Sequence, residues 1–598
     1  MKRLLSVTLT LILLLGMLAG CGQTSAGVNG NNDTNSSNTD ASESSAEAVE
    51  VDFSQTDSDM FTDRDYETDY DENDSIYIYL NGDTATASSD SVQISGSTIT
   101  ITENATHIIS GTLDDGIIIV DADETAKLQL VFNGVNINSE TSSPIYILEA
   151  DKVFITLADR TENTLSNGGT FTAIDENNID AVIYSKQDLT LNGSGSLTVT
   201  SPAGHGIVSK DDLVITGGTY IVTSASHGLD ANDSVRIANA SITVDAGKDG
   251  IHAENSDDAA LGFIYISSGA VNIEAEGDGI SAGSYMQIES GDIYILAGGG
   301  SENGTSTSSG SYGRFMGGSR PGQSSSATTT GDSSTSMKGM KAANSILISE
   351  GTITINSADD SIHSDVSVTI NGGTFEIASG DDAVHAEDTL IITACNMNVS
   401  ESYEGLEAQK IYVKGGDILL HASDDGLNAS GGTDSSGMTG GRDGMFGGGG
   451  MSSSSNGVVE ISGGNLTVYA SGDGLDSNGT LTISGGFVYV ANPTSGDTSV
   501  IDSDFSPVIT GGTFISTGST TMMAQTFASS STQGVIACTT GNQSAGSTVT
   551  VKDSNGNTII SYEVEYSCVL VIISSSDIVK GNTYTLTVGS TSGSVTAS

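Results

Sequence analysis

Residues 205–231 read HGIVSKDDLVITGGTYIVTSASHGLDA, and this stretch shows the unit from which most of the chain is built. Its opening string, Gly206-Ile207-Val208-Ser209, returns 22 residues later as Gly228-Leu229-Asp230-Ala231. A fixed period of this length is the sequence signature of a repeat architecture. The chain is therefore expected to stack similar units on one another.

The four-residue string occurs ten times between residues 206 and 477. Its second position is always apolar and its fourth is always Ala or Ser, whereas the third is polar in nine copies. This alternation predicts a strand whose second and fourth residues face a core, while the third faces outward. The other copies begin at Gly250, Gly279, Gly339, Ser361, Ala383, Gly405, Gly426 and Gly474.

Two more short apolar alternations follow in each unit, around Leu213 and Tyr220, with a corner at Gly217-Gly218. Three strands per period of about 22 residues predict an all-β fold, a right-handed parallel β-helix, because crossovers between parallel strands are almost always right-handed. A β-sandwich would not require the same residue type at a fixed phase in ten copies. Less regular coils are predicted at residues 117–121, 145–149 and 181–185.

The two ends of the chain depart from the repeat. Residues 1–20 combine Lys2 and Arg3 with a mostly apolar run, which predicts a lipoprotein signal peptide. The string Leu18-Ala19-Gly20-Cys21 resembles the bacterial lipobox, so we expect Cys21 to carry a lipid and to hold the protein on the extracellular face of the cell membrane. Residues 21–74 are rich in Ser, Asn and acids and predict a disordered tether.

Residues 75–533 form the predicted β-helix domain, and residues 534–598 predict a small antiparallel β cap with a turn at Asn555-Gly556. Insertions at about 298–336 and 430–456 are rich in Gly, Ser and Met, and we interpret them as disordered loops bordering the first strand of the unit. Cys395 falls in a corner column and is expected to be packed. Cys538 and Cys568 could pair.

The formal net charge is −56, from 75 acidic and 19 basic residues. Such a surface repels phosphates, which excludes nucleic acid as a partner. Many carboxylates favour calcium, a cation that prefers oxygen ligands, although solubility alone would also explain the charge. The chain has no Trp, which argues against a flat aromatic platform for neutral polysaccharide.

The position just before each four-residue string is acidic in seven of the ten copies. Stacked coils would bring these carboxylates about 5 Å apart, where they would repel unless a cation lay between them. The alternative is that Asp-Asp-Gly is simply good turn chemistry. The candidate calcium ligands are Asp249, Asp278, Asp359, Asp360, Asp381, Asp382, Glu404, Asp424, Asp425 and Asp473.

Three stretches of the early coils resemble a family of bacterial carbohydrate-binding β-helix domains. They are Gly111-Thr112-Leu113-Asp114-Asp115-Gly116, Leu130-Val131-Phe132-Asn133-Gly134-Val135-Asn136-Ile137 and Ile183-Tyr184-Ser185-Lys186-Gln187-Asp188-Leu189-Thr190-Leu191-Asn192-Gly193. That family is associated with calcium and acidic plant polysaccharide, and its fold is similar to that of pectate lyases. The resemblance runs from about residue 75 to 520 and implies carbohydrate binding, with no catalytic motif to carry over.

The outward residues of the same strands are the candidate carbohydrate contacts: Asp230, Glu254, His363, His385, Glu407 and Asp476. The histidines at this position are interpreted as solvent-facing spacers rather than metal ligands. The leading hypothesis is a non-catalytic protein that binds acidic polysaccharide with the help of calcium. A pectate-type lyase and a structural stalk or adhesin are the alternatives, and a lyase would need a Lys or Arg base beside the acids.

Overall fold

The computed structural model describes residues 51–304, 336–430, 456–492, 498–521 and 523–598. These residues form fifty strands, one four-residue α-helix at Asp57–Met60 and two 3-10 turns at Asp63–Tyr66 and Ser301–Asn303. Forty-six strands belong to one sheet and four to a second. The prediction of an all-β chain is confirmed.

Most of the large sheet consists of three ladders of parallel strands, because each strand pairs with the strand about one repeat further along the chain. The first ladder carries the four-residue strings, and its strands are Thr98–Ile101, Ile117–Asp121, Ile145–Glu149, Ala181–Ser185, His205–Ser209, Leu229–Ala231, Ile251–Ala253, Ile280–Ala282, Met340–Ala342, Ile362–Ser364, Val384–Ile392, Leu406–Val413, Leu427–Ala429, Leu475–Ser477 and Asp502–Ser503.

The second ladder follows the first along each repeat. Its strands are Ile76–Gly82, Thr106–Leu113, Lys127–Ser139, Lys152–Leu157, Asp188–Gly193, Asp212–Ile215, Ser234–Ile237, Phe263–Ile266, Met286–Ile288, Ser345–Ile348, Ser367–Ile370, Gly457–Ile461, Gly479–Ile483 and Val508–Ile509. Val384–Ile392 and Leu406–Val413 continue from the first ladder into this one.

The third ladder completes the repeat. Its strands are Glu162–Asn167, Ser196–Ser201, Thr219–Ser224, Ala240–Ala246, Gly269–Ala275, Asp292–Ala297, Thr352–Ser357, Thr374–Ser379, Asn396–Ser402, Asp417–Ala422, Asn465–Ala470, Phe487–Asn492 and Thr513–Gly518. Near the start of the sheet, Ala85–Ala87 and Val92–Ser95 make antiparallel pairs instead.

One hydrophobic core runs through the three ladders. The second residue of every four-residue string lies in it and is buried, as predicted for Ile251, Ile280, Ile362, Val384, Leu406 and Leu475. Side chains of successive coils stack in register, since Ile362 pairs with Val384 and Val384 pairs with Leu406. The period-two alternation therefore assigned the inward residues correctly.

The Gly that opens many strings lies where no side chain fits. A Cβ on Gly279 would meet Ile295 Cγ2 from the third ladder and would lie 2.6 Å from the carbonyl oxygen of Gly339 in the next coil. Both neighbours belong to the packed interior, so neither can yield cheaply.

We expect Gly279→Ala to lower the free energy of unfolding by about 1–3 kcal/mol, the range for overpacking a tight core. Gly593→Ala is the matched control, because no heavy atom lies within 4 Å of a Cβ at that position. Urea denaturation followed by circular dichroism measures both variants. Equal stability of the two would contradict this packing.

Residues 51–74 do not behave as the predicted disordered tether. Met60 and Phe61 are buried against Tyr265 and Phe263 of the second ladder. Asp65 is also buried, and its carboxylate lies 2.9 Å from Lys152 Nζ and accepts a 2.7 Å hydrogen bond from Thr190. The average composition of this segment conceals a few apolar residues and one acid that dock on the sheet.

The last part of the chain is antiparallel, as predicted. Val535–Gln543 and Cys568–Ser574 extend the large sheet, with Cys568–Ser574 pairing to the last strand of the third ladder. Thr548–Lys552, Thr558–Glu563, Thr583–Val588 and Thr591–Thr596 form the four-stranded sheet. Cys538 and Cys568 are both free thiols rather than a disulfide, and Cys395 packs against the core.

Several sequence predictions fall on residues that the structure does not describe. These are the signal peptide, the lipidation site Cys21, the first part of the tether and most of the two Gly/Ser/Met-rich insertions. Among the described residues, no helix has both the length and the apolar character needed to cross a membrane.

Candidate functional site

The polar side chains of the first ladder form a continuous strip, which we call the first-ladder strip. It contains the third residue of each four-residue string and the residue that precedes the string. The polar third residues pair in register along the ladder in the order Asp230, His252, Ser281, Lys341, His363, His385, Glu407, Asn428 and Asp476, and Asp502 continues the row beyond the last string. Adjacent members therefore lie about 4.8 Å apart.

Several of the acids that precede the strings use one carboxylate oxygen to bind the next coil. Asp249 Oδ1 accepts the backbone N–H of Asp278 at 2.8 Å, and Asp360 Oδ1 accepts that of Asp382 at 3.0 Å. The same bond joins Asp278 to Lys338 and Asp382 to Glu404. These bonds run between coils and not within a turn, and they leave the second oxygen of these acids for the strip.

An ammonium group lies in the middle of the strip. Lys338 Nζ is 2.7 Å from Asp360 Oδ2 and 3.2 Å from Asp359 Oδ1. His363 Nδ1 contacts the same Asp360 Oδ2 at 2.8 Å. Burial alone would raise the pKa of Asp360, but Lys338 and His363 hold that pKa well below its usual range. Protein cations already neutralise Asp359 and Asp360, so these two residues fit calcium poorly.

The next coil repeats this arrangement without a lysine. His385 Nδ1 lies 2.7 Å from Glu407 Oε2 and 3.3 Å from Asp382 Oδ2. Burial opposes a charge on His385, but the bonds to Asp382 and Glu407 raise its pKa well above the usual value. Burial and the charge of Glu407 raise the pKa of Asp382 well above its usual value, so the imidazolium of His385 pairs chiefly with Glu407.

The prediction that His363 and His385 face solvent is wrong. His385 is 2% exposed and His363 is 4% exposed, and their rings stack 4.9 Å apart. Both side chains leave the strand on its outer side, as the alternation requires, but the acids of their own and neighbouring coils surround them. A side chain that leaves the strand on its outer side can therefore still be buried, because long polar side chains on the neighbouring strands cover it.

The raised pKa of His385 gives a pH-dependent stability. Because the folded-state value exceeds the unfolded value, this histidine stabilises the protein below the unfolded pKa of about 6.5, and the contribution disappears as pH rises through the folded pKa. We expect His385→Asn to destabilise the protein strongly at pH 6 and less at pH 9. Thermal unfolding at both pH values, in chelator, measures the difference.

His421→Asn is the control for that experiment, because the ring of His421 stacks on Tyr469 in the third ladder, away from the strip. A loss of stability that is the same at pH 6 and pH 9 for His385→Asn would contradict the imidazolium assignment.

The end of the strip near residue 473 offers only oxygen. Burial, together with the charges of Asp473 and Asp424, raises the pKa of Asp425 well above its usual value. Burial and nearby acids raise the pKa of Asp473 to about 7. In the described part of the chain, Asp424, Asp425 and Asp473 form no ion pair. A Cβ on Gly472 would meet Oδ1 of both Asp424 and Asp425, so the glycine leaves room where two carboxylates converge. A donor set made only of oxygen is the kind that calcium prefers.

The structure divides the predicted carbohydrate contacts into two groups. Asp230, His363 and His385 are buried, so they support the strip rather than reach a polymer. Glu254 is exposed and lies 3.4 Å from Lys210, whereas Glu407 and Asp476 are partly exposed. A polysaccharide that follows the ladder would therefore meet Glu254, Glu407 and Asp476.

The role of the histidines was not predicted from the sequence. Asp249, Asp360 and Asp382 are each followed three residues later by a histidine, in the pattern Asp-x-x-His. The pattern places a carboxylate and an imidazole on the same coil edge, and it brings ligand atoms of His227, Asp249 and His252 within 4.8 Å of one another. Three of the seven histidines of the chain follow this pattern, and this recurrence could have indicated that they share a role.

These features define a class of protein, an extended all-β scaffold that presents a ladder of acids and histidines along one edge of its coils. The family model for carbohydrate-binding domain-containing proteins matches residues 95–383 and 382–578. The chain belongs to this family.

Two known proteins resemble parts of the chain. A carbohydrate-binding domain-containing protein of Acetivibrio thermocellus is 41% identical over 126 residues, which is 21% of this chain and 44% of the relative. The chain thus matches less than half the length of that relative. A solved structure of the polysaccharide lyase-like protein from C. thermocellum, a gadolinium derivative, is 35% identical and covers 38% of this chain and 92% of that one, with a TM-score of 0.36.

Proposed function

We propose that this protein binds acidic polysaccharide without cleaving it and that calcium on the first-ladder strip makes the binding possible. Family membership supports a polysaccharide partner. The observation that carries the calcium part is the oxygen-only end of the strip, where the carboxylates of Asp424 and Asp425 meet beside Gly472 and Asp473 lies on the next coil.

Charge explains why calcium is needed. A chain of net charge −56 repels a polyuronate over a Debye length of about 8 Å at physiological salt. A divalent ion held by protein carboxylates can also accept oxygens from the polymer, since calcium takes six to eight oxygen ligands. The ion would remove the repulsion among the acids and join the two anionic partners.

The scaffold in this proposal is a right-handed parallel β-helix over residues 75–533. The order in which the three ladders recur along the chain supports it, as does the strong preference of parallel crossovers for the right hand. Residues 534–598 would cap its end, and Cys21 would hold the protein on the outer face of the bacterial membrane.

Three basic residues that could have served a lyase are paired with acids. Lys210 Nζ lies 3.4 Å from Glu254, Arg236 lies 2.7 Å from Asp212, and Lys338 is bound to Asp360. None of the three is directed at the oxygen-only end of the strip. This arrangement supports binding without turnover.

Affinity electrophoresis in gels containing polygalacturonate tests the proposal. We expect calcium to retard the protein, excess chelator to release it, and a neutral glucan to retard it weakly. Absorbance of unsaturated product should stay flat on long incubation. Retardation by neutral glucan alone, or growing product absorbance, would overturn the proposal.

A further inference from the structure

We propose that His227, Asp249 and His252 bind a divalent transition-metal ion of the zinc class, at a site separate from the calcium sites above. The cluster lies on two adjacent coils at the other end of the first-ladder strip. The inference goes beyond polysaccharide binding and does not depend on it.

The spacing of the ligand atoms suits a small ion. His227 Nδ1 lies 3.3 Å from Asp249 Oδ2, and one ligand atom from each of the three residues lies within 4.8 Å of the other two. Bonds of 2.0–2.1 Å in a tetrahedral zinc site place two ligand atoms about 3.3–3.4 Å apart. The pair His227 and Asp249 already has that separation.

The local hydrogen bonds determine which atoms of His227 and Asp249 face each other. Asp249 Oδ1 is occupied by the N–H of Asp278 at 2.8 Å, so Oδ2 is the oxygen that faces His227. His227 Nδ1 lies 3.3 Å from Oδ2 and makes only a long 3.3 Å contact with the backbone N–H of Asp249. A metal ion bound to Nδ1 would replace that long contact and would be neutralised by Oδ2.

A buried carboxylate orients the third ligand. Asp230 is 3% exposed, and its Oδ1 lies 2.8 Å from His252 Nδ1. A carboxylate on one imidazole nitrogen directs the other nitrogen to a metal and is common behind metal-binding histidines. The ring of His205 stacks 5.1 Å from that of His227, and its buried Nδ1 has no hydrogen-bond partner among the described residues.

The donor set selects the kind of ion. Two imidazoles and one carboxylate match zinc and its neighbours, whereas calcium takes oxygen ligands. The other two histidine clusters of the strip differ, because Lys338 neutralises Asp360 and the imidazolium of His385 pairs with Glu407. The side chains of His227, Asp249 and His252 are also partly exposed, so an ion can enter.

Titration with cobalt(II) and zinc, in the presence of millimolar calcium, tests the site in the full chain. We expect one tight site, with visible cobalt absorption typical of mixed nitrogen and oxygen ligation, and displacement of cobalt by zinc but not by calcium. The His227→Asn, His252→Asn double variant should lose at least 100-fold in zinc affinity, and Asp230→Asn should lose about 10–100-fold. His421→Asn should bind zinc like the wild type.

Undiminished zinc affinity in the double variant would overturn the proposal, and so would the absence of tight zinc binding by the wild type. Copper(II) electron paramagnetic resonance on the wild type keeps the test valid if the double variant fails to fold. We expect nitrogen couplings from two imidazoles, and a spectrum without nitrogen couplings would refute the site. Polygalacturonate retardation in calcium should stay the same in a folded double variant, which separates this site from the proposed function.

Discussion

The Asp425→Asn, Asp473→Asn double variant is expected to lose at least about 100-fold of its calcium-dependent affinity for polygalacturonate. A hydrogen bond or ligand contact to a charged group is worth about 1.5–3 kcal/mol, so two lost carboxylates remove about 3–6 kcal/mol. Each 1.4 kcal/mol is a factor of ten in the dissociation constant. Isothermal titration with calcium, followed by retardation in polygalacturonate gels, measures the two steps separately.

The control must remove the same charge elsewhere. Asp245 and Asp292 are exposed acids on the third ladder, and Asp245→Asn, Asp292→Asn lowers the net negative charge by the same amount. We expect this control to bind polygalacturonate as the wild type does. If both double variants bind equally, overall charge governs the interaction and the oxygen-only end of the strip does not.

Lys338→Met is expected to lower the free energy of unfolding by about 3–5 kcal/mol, which is the cost of leaving one member of a buried ion pair without its partner. Asp360 has no exposed surface, and its Oδ2 is held by Lys338 Nζ at 2.7 Å. Without the ammonium, only the two histidines His363 and His385 would remain to offset the charge of Asp360. Urea denaturation at pH 7 measures the loss.

Lys341→Met provides the comparison, because Lys341 is only three residues away but its side chain is 33% exposed and lies 3.7 Å from Asp278. A partly exposed pair of this kind contributes about 0–1 kcal/mol. The Lys338→Met, Asp360→Asn double variant should recover much of the stability lost in the single variant. A single-variant loss no larger than that of Lys341→Met would show that Asp360 does not need the ammonium.

The sequence predicted the fold well because one local rule repeats at a fixed phase. Side chains alternate along a strand, so a column that is always Ile, Leu, Val or Met had to face the core, and Ile362 and Val384 do. The antiparallel strands near the C-terminus were also predicted, because apolar alternations there are separated by turn residues such as Asn555-Gly556.

The site could be predicted only in part, because its chemistry depends on which residues meet across coils. The position of His385 in the repeat predicted the side of the strand on which it lies. It did not predict the two acids around it, one of which comes from the following coil. Lys338 follows an insertion, and nothing in its local sequence shows that it neutralises Asp359 and Asp360. Likewise, Asp65 finds Lys152 and Thr190 far along the chain, which local composition cannot show.

The bonds from Asp249, Asp278, Asp360 and Asp382 to the backbone of the next coil have a consequence for polymer length. Because one oxygen of each of these acids is fixed to the following coil, the spacing of the acids follows the spacing of the coils. From Asp249 to Asp473 the ladder has seven steps, or about 34 Å at about 4.8 Å per step. A flexible acidic surface would hold short and long uronates alike, whereas a strip of fixed spacing favours chains long enough to contact the calcium-binding end and further coils at the same time. Affinity should therefore rise steeply with the number of sugar units until the polymer spans the ladder.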